Sequence, residues 1–158
     1  MLFVALPSGL MTMFLGDGFS LRVDGKILST MMFVLVWTND IFAYLTGKAI
    51  GKHKLFERIS PKKTVEGSLG GAAITVLAAF LANRFWLHLM SSEKMMGLAF
   101  TIVVFGSLGD LCESMLKRQA GVKDSGNVIP GHGGILDRFD ASFLAMPFAF
   151  VYLTLIVC

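Results

Sequence analysis

Between Gly109 and Asp140 the chain gathers acids, bases and glycines in a pattern suited to handling phosphate. Asp110, Glu113, Ser114 and Lys117 are spaced i, i+3, i+4 and i+7, so a helix would carry all four on one face. Such a stripe is either an interfacial helix end with its own ion pair or a charged surface aimed at a site. Downstream come Lys123-Asp124-Ser125-Gly126, then Ile129-Pro130-Gly131-His132-Gly133-Gly134, then Ile135-Leu136-Asp137-Arg138-Phe139-Asp140. Pro130 and its neighbouring glycines make a tight backbone whose N–H groups can approach an anion closely. A helix starting just after Gly134 would aim its positive end at the same place. Asp137 and Asp140 lie one helical turn apart, with Arg138 between them. Carboxylates for a hard cation, with lysine and arginine for the remaining charge, are what a metal-bound triphosphate requires.

A second polar constellation lies upstream, in Ser60-Pro61-Lys62-Lys63-Thr64-Val65-Glu66-Gly67. Its basic residues suit attraction to anionic lipid, at about 1 kcal/mol each. That accounts for Lys52, Lys54 and Arg58 better than for the ordered Ser60-Pro61 turn and Glu66-Gly67. Lys62, Lys63, Thr64 and Glu66 are therefore expected to border a substrate site. Asn39, Asp40, Asp110 and Glu113 fall inside or beside long apolar runs, where an ionisable residue is a functional candidate by default. Contact with water at a helix end is the plainer alternative for each.

The elements that must hold these residues are membrane spans. Of 158 residues 54% are hydrophobic and 16% charged, whereas about a quarter are charged in soluble domains. Crossing the hydrocarbon core takes about 20 apolar residues. Residues 27–48, 68–90 and 140–158 approach or meet that length, 95–113 is somewhat shorter, and 2–15, with Pro7 and Gly9, is a partial span at most. The expected fold is an all-α polytopic membrane bundle in one transmembrane domain, residues 1–158. Basic residues concentrate in 48–67 and 114–139, which places both loops on the cytoplasmic side, while the Ser91–Lys94 turn lies opposite. Arg84 and His88 near Trp86 read as an interfacial belt without chemistry.

The start lacks the basic region of a signal peptide, so insertion is expected to rely on the spans themselves. Cys112 and Cys158 show no metal-ligand spacing and read as buried thiols. The row Ala43, Gly47, Gly51 and the pair Gly106, Gly109 would let helices approach closely, within the chain or in a homodimer. Net charge of +3 beside apolar runs points to anionic lipid or a phosphorylated substrate, and no nucleic-acid-binding motif is present.

The run from Ser114 to Asp140, SMLKRQAGVKDSGNVIPGHGGILDRFD, resembles the signature of the phosphatidate cytidylyltransferase (CDP-diacylglycerol synthase) family throughout. Asn39-Asp40-Ile41-Phe42-Ala43-Tyr44 leading to Gly47, and the Ser60–Gly67 segment, are similar to the same family, so the likeness covers roughly residues 37–140. It implies transfer of a cytidylyl group from CTP to phosphatidic acid, giving CDP-diacylglycerol and pyrophosphate. It also implies Mg2+ at Asp110 and Asp137, and it allows a monovalent cation such as K+ beside it. Family members are usually longer, with more spans before the Asp40 region, so the chain resembles their C-terminal catalytic part.

Such a reaction needs no strong base, because phosphatidate is largely a dianion at neutral pH. Repulsion between anions is the obstacle. Lys117, Lys123 and Arg138, with Lys62 and Lys63, are expected to neutralise the phosphates. Ser60, Ser114, Arg118, Gly133 and Gly134 are expected at the substrate, and Asp40 as an anchor or outer contributor to cation binding. His132 either protonates or orients a phosphate oxygen or shapes the glycine turn. Asp124 and Asp140 are either ligands or partners of Lys123 and Arg138. A cation pathway through Asp40, Asp110 and Asp137 would leave the basic residues unexplained, and an inactive lipid-binding scaffold would differ from an enzyme in lacking metal-dependent turnover.

Overall fold

The structure, a computed structural model, describes residues 25–57, 59–122 and 136–157, together with Gly9. Four long helices organise it: α1 (Gly25–Ile50), α2 (Val65–Ala82), α3 (Ser92–Gln119) and α4 (Leu136–Tyr152). Helices α2 and α4 each end in a wider π-helical turn, Asn83–Leu87 and Leu153–Val157. All four, with these extensions, are long and apolar enough to cross a membrane. The molecule is the all-α polytopic bundle expected from the sequence. The partial span expected at 2–15 lies, apart from Gly9, outside the described residues.

Helix α3 runs well past the expected 95–113. Its 28 residues extend about 42 Å at 1.5 Å per residue, against about 30 Å of hydrocarbon. The excess is the polar stripe from Asp110 to Arg118, which continues the helix beyond the apolar run and lowers the hydropathy that marks its boundary. Pro147 lies inside α4.

Between α1 and α2 the chain makes a feature that the sequence reading does not anticipate: an antiparallel ribbon of β1 (Lys54–Phe56) and β2 (Ser60–Thr64). What was read as a Ser60-Pro61 turn is the start of β2. Val65 N–H donates to the His53 carbonyl at 3.0 Å, carrying the pairing to the first residue of α2. The Glu66 carboxylate accepts from the backbone N–H groups of Lys52 (3.1 Å) and His53 (3.2 Å), with His53 Nδ1 at 2.6 Å. Thr64 caps α2, its Oγ1 accepting from Gly67 N–H at 3.1 Å. These bonds place β2 firmly against the end of the bundle.

Helices α1 and α2 approach most closely through small residues. A Cβ on Gly71 would come within 2.8 Å of Ala43 Cβ and backbone N, so only hydrogen fits there. Thr46 Oγ1 donates across the same seam to the Gly67 carbonyl at 3.1 Å. The second close approach is between α3 and α4, where a Cβ on Gly109 would lie 2.8 Å from the Asp140 carbonyl oxygen. Both small-residue faces noted in the sequence are thus used within the chain. Leu28, Met32, Met95, Leu98, Ile102, Ala149 and Leu153 form the main core, nearer the other end of the bundle. Phe85 and Trp86 are largely exposed at that end, in keeping with an interfacial belt.

Candidate active site at the polar end of the bundle

Where α1, β2, α2 and α3 meet, a polar cavity of about 240 Å³ opens. Helix α1 contributes Asn39, Asp40, Ala43 and Tyr44; β2 contributes Ser60, Lys62, Lys63 and Thr64; Ser68 comes from α2, and Ser107 and Asp110 from α3. Tertiary structure builds this site from segments far apart in sequence. Its central contact is an ion pair in which Lys63 Nζ donates to Asp110 Oδ2. Ser114 Oγ donates to the other carboxylate oxygen, Oδ1, at 3.3 Å. Asp110 therefore presents both oxygens to hard, positively polarised partners.

The surrounding charge is mainly negative. Asp40 lies within electrostatic reach of both Lys63 and Asp110. Asp140, held beside α3 by the Gly109 contact, lies within reach of Asp110, Glu113 and Asp40. One turn beyond Asp110, Glu113 is buried and pairs with Lys117 at 3.1 Å. Asn39 is 6% exposed and its Oδ1 has no hydrogen-bond partner among the described residues. Neighbouring carboxylates repel one another and favour added positive charge. Among the described residues no three acidic, histidine or cysteine side chains gather closely enough to hold a metal ion, so of the expected metal pair Asp110 alone offers the hard oxygen that Mg2+ takes.

The structure therefore brings together Asp40, Ser60, Lys62, Lys63, Thr64 and Asp110 at one cavity, with Ser114 bonded to Asp110 and Asp140 nearby. Glu66 is placed differently: it ties the start of α2 to Lys52 and His53 and does not line the cavity. Arg118 is exposed on α3 beyond the cavity. Lys123, Asp124, His132, Gly133 and Gly134 lie outside the described residues. Asp137 and Arg138 belong to the first turn of α4, and their side chains lie outside the described set. Asp137 would complete the expected pair of metal carboxylates.

Two lining residues, Ser68 and Ser107, were not singled out in the sequence, although the signal was present. Ser68 is four residues after Thr64 and Ser107 three before Asp110, the spacings that share a helix face. Tyr44 and Asn39 were noticed without receiving a role.

The chain is similar in sequence to known proteins. A phosphatidate cytidylyltransferase of Staphylococcus aureus (strain COL) is 44% identical over 126 residues, covering 80% of this chain and 48% of the relative. One from Bacillus subtilis (strain 168) is 47% identical over 122 residues, covering 77% and 45%. The chain thus spans about half the length of the relatives it matches. The sequence model of the cytidylyltransferase family matches residues 1–156, which takes in every helix around the cavity. On that match the chain belongs to the cytidylyltransferase family.

Proposed function

We propose that this chain carries the catalytic part of a phosphatidate cytidylyltransferase, a single transmembrane domain corresponding to the C-terminal part of a longer architecture. A phosphate oxygen of phosphatidic acid attacks the α-phosphorus of CTP, the bond to the β-phosphate oxygen breaks, and CDP-diacylglycerol and pyrophosphate form. The observation that carries this reading is the Lys63–Asp110 pair in a polar cavity built where three helices of membrane-crossing length meet β2. The named activity of the relatives supports it.

Each residue's part follows from charge. Two anionic substrates must meet, and the nucleophile is already ionised, so positioning and neutralisation supply most of the rate. Lys62 and Lys63 project from β2 into the cavity wall and offer ammonium groups to phosphate oxygens. Ser60, Ser68 and Ser107 offer hydroxyl donors around them. Lys117 is held by Glu113, which fixes its direction two turns beyond Asp110. Asp110 and Asp137 would hold Mg2+, and Asp40 and Asp140 would add negative potential that strengthens cation binding. When bound, the ion supplies charge neutralisation on the triphosphate. The basic residues of 48–67 and 114–139 favour a cytoplasmic orientation for this end.

The test is direct: purified protein in detergent receives labelled CTP and phosphatidic acid, with and without Mg2+, beside an Asp137→Asn variant. Mg2+-dependent CDP-diacylglycerol that disappears in the variant is the expected result. Folded protein that binds CTP and Mg2+ without turnover would instead favour the scaffold reading.

A further inference from the structure

The inference concerns how the site tells one nucleotide from another, and it rests on the function proposed above. Asn39 is buried at the polar cavity, and its Oδ1 has no partner among the described residues. An amide oxygen withdrawn from water without a hydrogen bond costs about 1–3 kcal/mol, so such a group is normally met by water or ligand. It is a neutral acceptor in a cavity that also holds the charged Asp40, Lys62, Lys63 and Asp110 and the hydroxyls of Tyr44, Ser60, Thr64, Ser68 and Ser107, none of which bonds it. The lysines answer phosphate and the carboxylates answer cations. Asn39 answers a hydrogen-bond donor.

Of the two substrates only the nucleotide offers one. The dianionic head of phosphatidic acid and its ester carbonyls are acceptors throughout. CTP carries donors at the base 4-amino group and at the ribose hydroxyls. A primary amide presents an acceptor and a donor side by side, the complement of a 4-amino group next to ring N3. Uracil reverses both positions, so in the orientation that meets cytosine the amide sets carbonyl against carbonyl and N–H against N–H, and discrimination requires the cavity to hold that orientation. We propose that Asn39 is a specificity-determining residue whose amide reads the 4-amino edge of cytosine.

A rival partner exists in the fold. With α1 and α2 antiparallel and Gly71 packed on Ala43, the next turn of α2 brings Thr75 to the level of Asn39. Thr75 is fully buried, and its Oγ1 also has no partner among the described residues. If Asn39 served only to meet Thr75, removing either group would have the same consequence. The two roles therefore predict different variant behaviour.

The experiment is equilibrium binding of CTP, UTP and dCTP to the full chain in detergent, for wild type, Asn39→Ala and Thr75→Val, with thermal unfolding recorded for each. Wild type is expected to bind CTP at least about 100-fold tighter than UTP, because a site built around a hydrogen-bonding group rejects the analogue lacking it. Asn39→Ala should bring the two within about threefold by weakening CTP alone, while dCTP follows CTP and Thr75→Val keeps the wild-type preference. N4,N4-dimethyl-CTP, which loses both amino hydrogens, needs no variant and should bind wild type as poorly as UTP. An equal fall for CTP and UTP in Asn39→Ala, a matching loss in Thr75→Val, or tight dimethyl-CTP binding would overturn the assignment. Wild type that binds CTP with a preference independent of Asn39 removes this inference alone. Wild type that binds no cytidine nucleotide removes the proposed function with it.

Discussion

The two ends of the bundle solve opposite problems with the same helices. At the polar end α1 and α2 press together through Gly71 and Ala43, and the carboxylates of α1, α3 and α4 converge beside Lys63. At the other end the same two helices border an apolar groove of about 460 Å³, lined by Ile27, Met31, Val34, Ala78, Ala82 and others. The connection there is held by Asn83, whose Nδ2 donates to the Met90 carbonyl at 2.8 Å and whose Oδ1 accepts from Leu89 N–H at 3.0 Å. His88 closes that turn with φ of 48°, a left-handed conformation usual at helix C-termini. Close backbone approach is spent where charge must be positioned; the remote end needs only to hold its turn and face lipid.

If that division is right, substitutions at the polar end should act on chemistry and those at the remote end on stability. The largest effect is expected from Asp110→Asn, which keeps its shape but loses its charge. Cytidylyl transfer should fall at least about 1,000-fold, by analogy with losing a principal electrostatic group, while the unfolding temperature in detergent changes little. An active Asp110→Asn enzyme would place the reacting phosphates elsewhere.

Lys117→Met comes next, because it removes the ammonium paired with the buried Glu113 carboxylate. Breaking a buried pair on one side costs about 3–5 kcal/mol, readable by reversible unfolding in mixed micelles. The double variant Glu113→Gln/Lys117→Met should recover most of the stability. If it also recovers transfer, Lys117 acts through the ion pair; if transfer stays low, its ammonium is needed by substrate.

Gly71→Leu should force α1 from α2 against backbone that cannot yield, costing about 3 kcal/mol as overpacking does. Because Ala43 lines the cavity, activity should fall as well, and a loss of stability without loss of turnover would separate seam from site. Asn83→Ala, by contrast, should cost about 2 kcal/mol through unsatisfied loop backbone and leave turnover per folded molecule unchanged. Smallest of all, Ala78→Leu in the groove should shift stability by no more than about 0.5 kcal/mol with activity intact. A large activity effect there would give the groove a share in substrate handling.

Much of the architecture was legible in the sequence because hydrocarbon thickness imposes a length on apolar runs. The four spans follow from runs of apolar residues, and the relation of the two basic loops from counting crossings between them. The helical stripe from Asp110 to Lys117 could be read as one face, and its internal Glu113–Lys117 pair is a local i, i+4 contact. The β1–β2 ribbon escaped notice because strands of three and five residues give too little alternation to register. Glu66 was assigned to the substrate side by its company in the chain, yet its bonds to Lys52 and His53 turn it toward the preceding loop.

What the sequence by itself determined is the solvent, the spans and the kinds of groups available for phosphate chemistry. Each depends on composition or on spacing within a single helix. Only the tertiary structure decided that Lys63 meets Asp110 across 47 residues, that Asp140 lies against Gly109, and that Asn39 is buried at the same cavity. Those pairings depend on which helices pack and at what depth, set by a few glycines whose missing side chains let backbones touch. Spacing along one chain cannot encode a distance between two helices; the packing between them does.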